Sequence, residues 1–379
     1  MRHAFRFLAL ATLLGSVTAF SQTLALDTPT DPRSVAMGES FAAVPGTPAA
    51  LMYNPAGVAR VKGLSASYAQ RQYNWISWMD ERRYQSVTVT VKTPIVTLGA
   101  MYERDYYGDF NATTAYSPDG TGTGKAYDHL LGLGAGISLG EHWDIGLAGK
   151  MFDRVVSNSG GSDFSLETTP AFMVDAGVIY RLYREAAENH YDETFTAGLS
   201  VQNIGTELTG RFSVRTLAMI STVATTMPRY LRVGVAYALT KQPAEGTGLV
   251  PFQLLLTGGA RYLMNWAALG MTRNRVGVGF GADGLIYELL SLRLGVQKIP
   301  DNSVYVPATN DWTLRFGAGL SFPFRLVGLD TPLILQGEYA AIAVDDYLMF
   351  TDYIGPRPTT KSLLHDFSIS LRYEADLIH

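Results

Sequence analysis

The chain has no cysteine among its 379 residues. No disulfide framework and no cysteine-linked lipid anchor is therefore available to it. Charge is scarce as well: 17% of the residues are Asp, Glu, Lys or Arg, against about 25% in ordinary soluble domains. The formal net charge of −4 leaves no basic surplus, so nucleic acid is not expected as a partner. After the first 21 residues there is no run of 18 or more apolar residues, which excludes a helical membrane span. Histidine is rare too. Past residue 21 the five, His129, His142, His190, His365 and His379, are scattered without metal-ligand spacing. No Ser/His pair is nominated for nucleophilic catalysis, so the chain does not read as an enzyme and no cofactor or metal site is expected. Gly279, Gly281 and Gly284 fit G-x-G-x-x-G but lack the βαβ setting that gives the pattern meaning.

What the sequence has in abundance is alternation. Asp366-Phe367-Ser368-Ile369-Ser370-Leu371-Arg372-Tyr373 switches between polar and apolar at every step, the period of a strand with one apolar face. The same period recurs near Leu64–Tyr73, Tyr84–Lys92, Ile95–Arg104, His129–Leu139, Trp143–Phe152, Ala171–Tyr183 and Phe195–Asn203. It continues at Tyr230–Leu239, Phe252–Leu263, Arg275–Leu285, Leu289–Lys298, Thr313–Pro323, Leu333–Val344 and Asp366–Asp376. About fourteen such segments, with 38 Gly and 21 Tyr, read as an all-β chain. Its fold class is a transmembrane antiparallel β-barrel of about 14 strands, apolar outside and polar within. A soluble sandwich would put the polar faces in water, with more charge and less glycine on them. A charge facing lipid at mid-membrane costs about 2–4 kcal/mol. Arg232, Arg261, Arg293, Arg315, Arg372, Asp175 and Glu338 are therefore expected to face the lumen.

The connections also alternate. Asp105–Asp128, Asp153–Pro170, Ile204–Arg229, Ile299–Trp312 and Asp345–His365 are long, while those between are mostly short, Thr93–Pro94, Gly140–His142, the turn near Tyr287 and Phe324–Thr331, with Arg184–Thr194 and Thr240–Pro251 longer. Long loops outside and short turns on the periplasmic side are the expected asymmetry. Tyr73, Trp75, Trp78, Tyr106, Tyr107, Tyr183, Tyr230 and Trp266 fall near strand ends, where aromatic girdles form. Apolar residues in two of the outer loops, Leu217, Met219 and Ile220 and then Tyr347, Leu348, Met349 and Phe350, are candidate partner contacts.

The N-terminus carries Arg2, His3 and Arg6, then the apolar stretch Phe7–Val17, then Thr18, Ala19 and Ser21. That is the layout of a secretory signal peptide over residues 1–21, and the compartment it implies for a barrel is the bacterial outer membrane, with outer-membrane lipid around it. Residues 22–63 precede the first strand and are rich in small residues and turn formers. In Asn54-Pro55-Ala56-Gly57 proline fixes φ, asparagine bonds its own backbone and glycine admits φ > 0. This segment is expected to fold into the lumen as an N-terminal hatch, with residues 64–379 as the barrel. Gly277, Gly279 and Gly281 share one strand face and would leave it room.

One stretch, RSVAMGESFAAVPGTPAALMYNPAGVA at Arg33–Ala59, resembles the N-terminal region of the FadL-like outer-membrane superfamily. MVDAGVIYRL at Met173–Leu182, LSVQNIGTEL at Leu199–Leu208, MPRYLRVGVAYAL at Met227–Leu239, YELLSLRLGVQ at Tyr287–Gln297 and DFSISLRY at Asp366–Tyr373 extend the resemblance to the C-terminus. Within that superfamily the chain most resembles the PorV/PorQ family. The resemblance implies a fourteen-stranded barrel with a hatch, acting in type IX secretion and binding secreted cargo or secretion-system proteins. The alternative it carries is a FadL-like passive channel for long-chain fatty acids or another hydrophobic small molecule.

Overall fold

In the computed structural model, residues 31–72, 82–114, 117–159, 164–185, 191–214, 219–243, 250–265, 276–298, 312–329, 331–345 and 361–374 are described. Residues 1–21, expected from the sequence to be a signal peptide, lie outside them. In chain order the strands are β1 (Leu64–Gln72), β2 (Arg83–Lys92), β3 (Thr97–Thr114), β4 (Ser117–Leu139), β5 (Trp143–Ser159), β6 (Phe164–Thr169), β7 (Ala171–Arg184), β8 (Tyr191–Gly205) and β9 (Leu208–Val214). There follow β10 (Met219–Thr225), β11 (Tyr230–Lys241), β12 (Phe252–Leu263), β13 (Val276–Ile286), β14 (Leu290–Lys298), β15 (Trp312–Pro323), β16 (Leu333–Asp345) and β17 (Lys361–Tyr373).

Fourteen of them close an antiparallel barrel, in which β6, β9 and β10 take no part. Closure is made by the first and last strands. β1 pairs with β17 from Leu64↔Tyr373 to Gln72↔His365, and with β2 on its other side. Every barrel strand thus has two neighbours and no edge is left in the membrane, which is the condition for a sheet to sit in lipid. The wall is inside-out relative to a soluble protein. Leu147 and Leu320 are 61% and 67% exposed, while Arg232 and Arg315 are 5% and 2% exposed. The alternating residues on the two faces explain this: the apolar set meets lipid and the polar set turns inward. The chain is a transmembrane barrel of the outer-membrane kind.

Two features of the outer side depart from the sequence reading. The Asp105–Asp128 connection is not a loop along its length. β3 runs on to Thr114 and β4 starts at Ser117, so the pair continues as a ribbon, with register shifts at Tyr106/Asp109 and Ala112/Thr114. The long connections 153–170 and 204–229 contribute β6, β9 and β10, which pair in the order β10-β9-β6 as a separate three-stranded sheet.

The stretch before β1 packs against the inner wall. Asp31 opens helix α1 (Pro32–Ala36): its carboxylate accepts from Ser34 N at 2.8 Å, ahead of a proline at the first helical position. The helix ends with Gly38 at φ 66°, where Gly38 N donates to Val35 O and Glu39 N to Ser34 O. That pair of bonds is a Schellman closure. A second short helix, α2 (Ala50–Tyr53), leads through Asn54 into a 3₁₀ turn at Pro55–Arg60 and so to β1.

Candidate functional site in the barrel lumen

The lumen is occupied by the chain's own residues. Asn54 ties residues 42–56 to the wall. Its side-chain amide donates to Ala42 O at 2.7 Å, and to Val178 O and Leu199 O on β7 and β8 at 3.2 and 3.4 Å. Its Oδ1 accepts from Ala56 N at 3.1 Å, which starts the 3₁₀ turn. Space for that amide comes from Gly177, where a Cβ would lie 1.9 Å from Asn54 Oδ1. Gly279 is used the same way, its Cβ position being 1.9 Å from Gly38 O. Wall side chains complete the contact. Thr196, Ser200 and Gln202 on β8 donate to the carbonyls of Ala43, Tyr53 and Met52. The Ser40 hydroxyl meets that of Thr257 on β12 at 2.5 Å.

Gly57 is needed here for a different reason than its turn position suggests. It is not among the positive-φ residues. A Cβ there would instead stand 2.7 Å from the Ala50 Cβ and 3.0 Å from Val44 O, so close packing excludes a side chain.

Charge fixes the segment further. Arg33 Nε lies 2.9 Å from Asp283 on β13, and Arg60 Nε 2.8 Å from Asp144 on β5. Arg315 on β15 donates to Glu39 at 2.7 Å, with Arg261 on β12 at 3.8 Å. Burial raises the Glu39 carboxyl, but Arg315 and Arg261 outweigh burial and hold it at about 2. The Asp31 carboxyl goes the other way. Burial and then the negative Glu338 push it up to about 6, against the hydrogen bonds from Ser34 and the charge of Arg33.

Beside this polar contact lies an apolar cluster inside the barrel. Tyr84, Met101, Leu130, Phe152 and Met173, inward residues of β2, β3, β4, β5 and β7, pack with Leu51 and Val58 of the N-terminal segment. Leu208 and Met227, from the connection between β8 and β11, join the same cluster and are buried to 3% and 2% exposure. Neighbouring inward charges are matched in place. Arg82 lies 2.6 Å from Asp105, Arg154 2.7 Å from Asp128, Lys150 2.5 Å from Asp175, and Arg71 2.6 Å from Asp366. A water-filled barrel is polar within; this one carries a buried apolar group between its outer connections and residues 31–63.

The inward charges follow the sequence reading: Arg232, Arg261, Arg293, Arg315 and Asp175 are buried, and Glu338 accepts from Arg293 at 2.8 Å. Two aromatics do not. Tyr230 is 3% exposed and lies beside the inward Arg232 and Arg261, and Tyr107 donates to the inward Asp128. Both point into the lumen rather than to a girdle, because they share parity with the inward residues of their strands. Tyr73, Trp75, Trp78 and Trp266 lie outside the described residues. So do Leu217, Tyr347, Leu348, Met349 and Phe350, while Met219 and Ile220 fall in β10 of the outer sheet. Glu39, Leu208 and Met227 were not singled out from sequence. Glu39 sits in a turn-like run, and the other two are single apolar residues in long connections, so no period marks them.

No family model and no curated protein matches the chain. Solved structures similar to it include the P. putida toluene transporter TodX, at 12% identity with a TM-score of 0.46, covering 92% of this chain and 98% of that one. The Ralstonia pickettii toluene transporter TbuX has 12% identity, a TM-score of 0.47, and coverage of 91% and 98%. A monoaromatic hydrocarbon channel, CymD, has 10% identity, a TM-score of 0.48, and coverage of 92% and 98%. At these values the likeness carries no argument; the barrel rests on its own ladders.

Proposed function

We propose that this outer-membrane barrel is a gated conduit for small hydrophobic molecules, with residues 22–63 as its hatch. The observation that carries the reading is the apolar cluster of Met101, Leu130, Phe152 and Met173 inside the lumen, capped by Leu208 and Met227. A structural barrel needs no apolar patch on its inner face. A conduit for hydrophobes needs one, and methionine's flexible, polarisable side chain suits guests of varied shape. Inward arginines that would oppose an acyl chain if left bare, Arg71, Arg82 and Arg154, are matched by Asp366, Asp105 and Asp128. Passage would require Leu208 and Met227 to swing aside and the hatch to yield.

The test exploits the absence of native cysteine. Ser40→Cys with Thr257→Cys places two thiols where two hydroxyls now touch. Cells expressing the wild type should take up a neutral labelled hydrocarbon faster than cells without it. The oxidised double variant should lose that gain, and a reductant should restore it. Uptake that is indifferent both to expression and to the lock would remove the conduit reading.

The second reading is a PorV/PorQ-type component of type IX secretion. It is favoured by the ordered motifs from Arg33 to Tyr373 and by the sheet β10-β9-β6, a platform outside the barrel ladder that includes Met219 and Ile220. Loss of surface display of sorting-domain proteins on gene deletion, with hydrocarbon uptake intact, would establish it over the first.

A further inference from the structure

We propose that the outer end of the lipid-facing wall, at Arg83 and Arg104, binds the phosphate headgroup of a lipid in the outer leaflet. Both arginines share the outward parity of their strands, with Gln85, Val87 and Val89 on β2 and with Leu98 and Tyr102 on β3. They are neighbours across the β2–β3 ladder, where Gln85 faces Arg104 and Arg83 faces Tyr106. The strands set their height. Along β4 the outward residues from Leu139 to Leu131 are apolar, and the next, His129, is the ladder partner of Arg104. The eight steps from Leu139 to Leu131, at about 3.4 Å each and a tilt of about 40°, rise about 21 Å. That is most of an apolar band about 25 Å tall. Arg104 thus lies where lipid tails give way to headgroups, on the side of the long connections.

The guanidinium carbon of Arg104 is 4.7 Å from the ring centroid of Tyr127 and 5.4 Å from that of Tyr106. These two tyrosines are direct partners across β3 and β4. Stacking on their rings holds the guanidinium but uses none of its five N–H donors. Arg104 Nε is buried and has no acceptor among the described residues. Neither Arg83 nor Arg104 forms an ion pair with any of their carboxylates. The outward carboxylates nearby are engaged elsewhere. Asp109 takes Lys125 at 3.8 Å and the Tyr106 hydroxyl, and Asp153 accepts from Arg154 N at 2.9 Å and from the Thr168 hydroxyl at 2.6 Å. Directly below the arginines, Val87, Tyr102 and Leu131 form one exposed row across β2, β3 and β4. An anion with an apolar tail satisfies both features, its phosphate on the guanidinium forks and its chain along that row. Free phosphate would use only the first. The inference stands on the barrel alone and not on the conduit or secretion readings.

The full-length protein in detergent tests it with three probes: lipid A, dephosphorylated lipid A and inorganic phosphate. Lipid A should form one-lipid adducts with the wild type along a saturating curve in native mass spectrometry. It should also shield Arg83 and Arg104 from phenylglyoxal. Dephosphorylated lipid A should bind at least about tenfold more weakly, and inorganic phosphate at equal concentration should neither shield the arginines nor displace lipid A. Arg83→Gln with Arg104→Gln should weaken lipid A binding at least about tenfold, whereas Lys62→Gln at the opposite rim should leave it unchanged. The shielding is read on the wild type, so it decides the matter even where the double variant fails to fold. Equal binding with and without the phosphates, or arginines modified at the same rate with lipid A bound, would overturn the proposal. So would displacement by inorganic phosphate, which would make the patch a site for the free ion.

Discussion

Replacing Asn54 by alanine strips four backbone groups of a partner at once: the carbonyls of Ala42, Val178 and Leu199 and the N–H of Ala56. Carbonyls in the strand ladder keep their ladder bonds, so the main loss is at Ala42 and Ala56. A buried group left unsatisfied costs about 1–3 kcal/mol. The variant should therefore lower the temperature at which the folded barrel loses its compact gel mobility, without preventing membrane insertion. Gly57→Val tests the packing reason for that glycine. Because φ is ordinary there, alanine and valine should differ by size alone, with valine clearly worse; equal damage from both would point back to backbone strain. Arg232 and Tyr230 show what parity does and does not convey. It placed the arginine inward from sequence, and the same count applied to Tyr230 gives the lumen, but aromatic residues near strand ends invite the girdle reading because composition is noticed before parity.

At the scale of elements, the segment from α1 to the 3₁₀ turn docks through charges with opposite pH dependence. Glu39 is held at about 2 against an ordinary 4.5. Its contribution to docking is whole above pH 4.5 and is lost as pH falls towards 2. Asp31 is raised to about 6 from 3.8, so docking gains from its protonation below 3.8 and loses that gain as pH rises through 6. Thiol labelling of a Ser40→Cys variant, taken at each pH relative to a free thiol to remove the thiolate fraction, should be slowest between about pH 4 and 5, rising on both sides. Asp31→Asn keeps the helix cap and should flatten the high-pH limb; Glu39→Gln should flatten the low-pH limb. The fourteen membrane strands were legible because lipid on one face and lumen on the other force a two-residue period. Where that contrast ends, the signal ends. The ribbon extension of β3 and β4, with Asp109↔Lys125 and Phe110↔Gly124 among its pairs, lies in a stretch without alternation. β6, β9 and β10 are six or seven residues long and sit in connections whose length was read as loop.

Taken whole, the molecule is a barrel whose interior is filled from both ends, by residues 31–63 and by the connection between β8 and β11. Deleting residues 31–63 should leave the closed ladder intact, since no strand belongs to that segment. The deleted barrel should then pass ions in a planar bilayer where the full chain holds no open current. A deletion variant that remains electrically silent would mean that the outer connection seals the lumen unaided.

The closing seam between β1 and β17 also imposes an order on biogenesis. Residues 31–63 are translated before any strand, yet they bond to β8, β12, β13 and β15, which arrive late. Their seat does not exist until most of the wall has curled around it. Once β17 zips onto β1, the ring admits no such segment through its side. Contacts spanning 250 and 276 residues, Arg33–Asp283 and Glu39–Arg315, make this a slow, non-local search. The wall must therefore wrap the segment as it closes, and a circular permutant that begins at β1 and carries residues 31–63 after β17 would have to thread a finished ring.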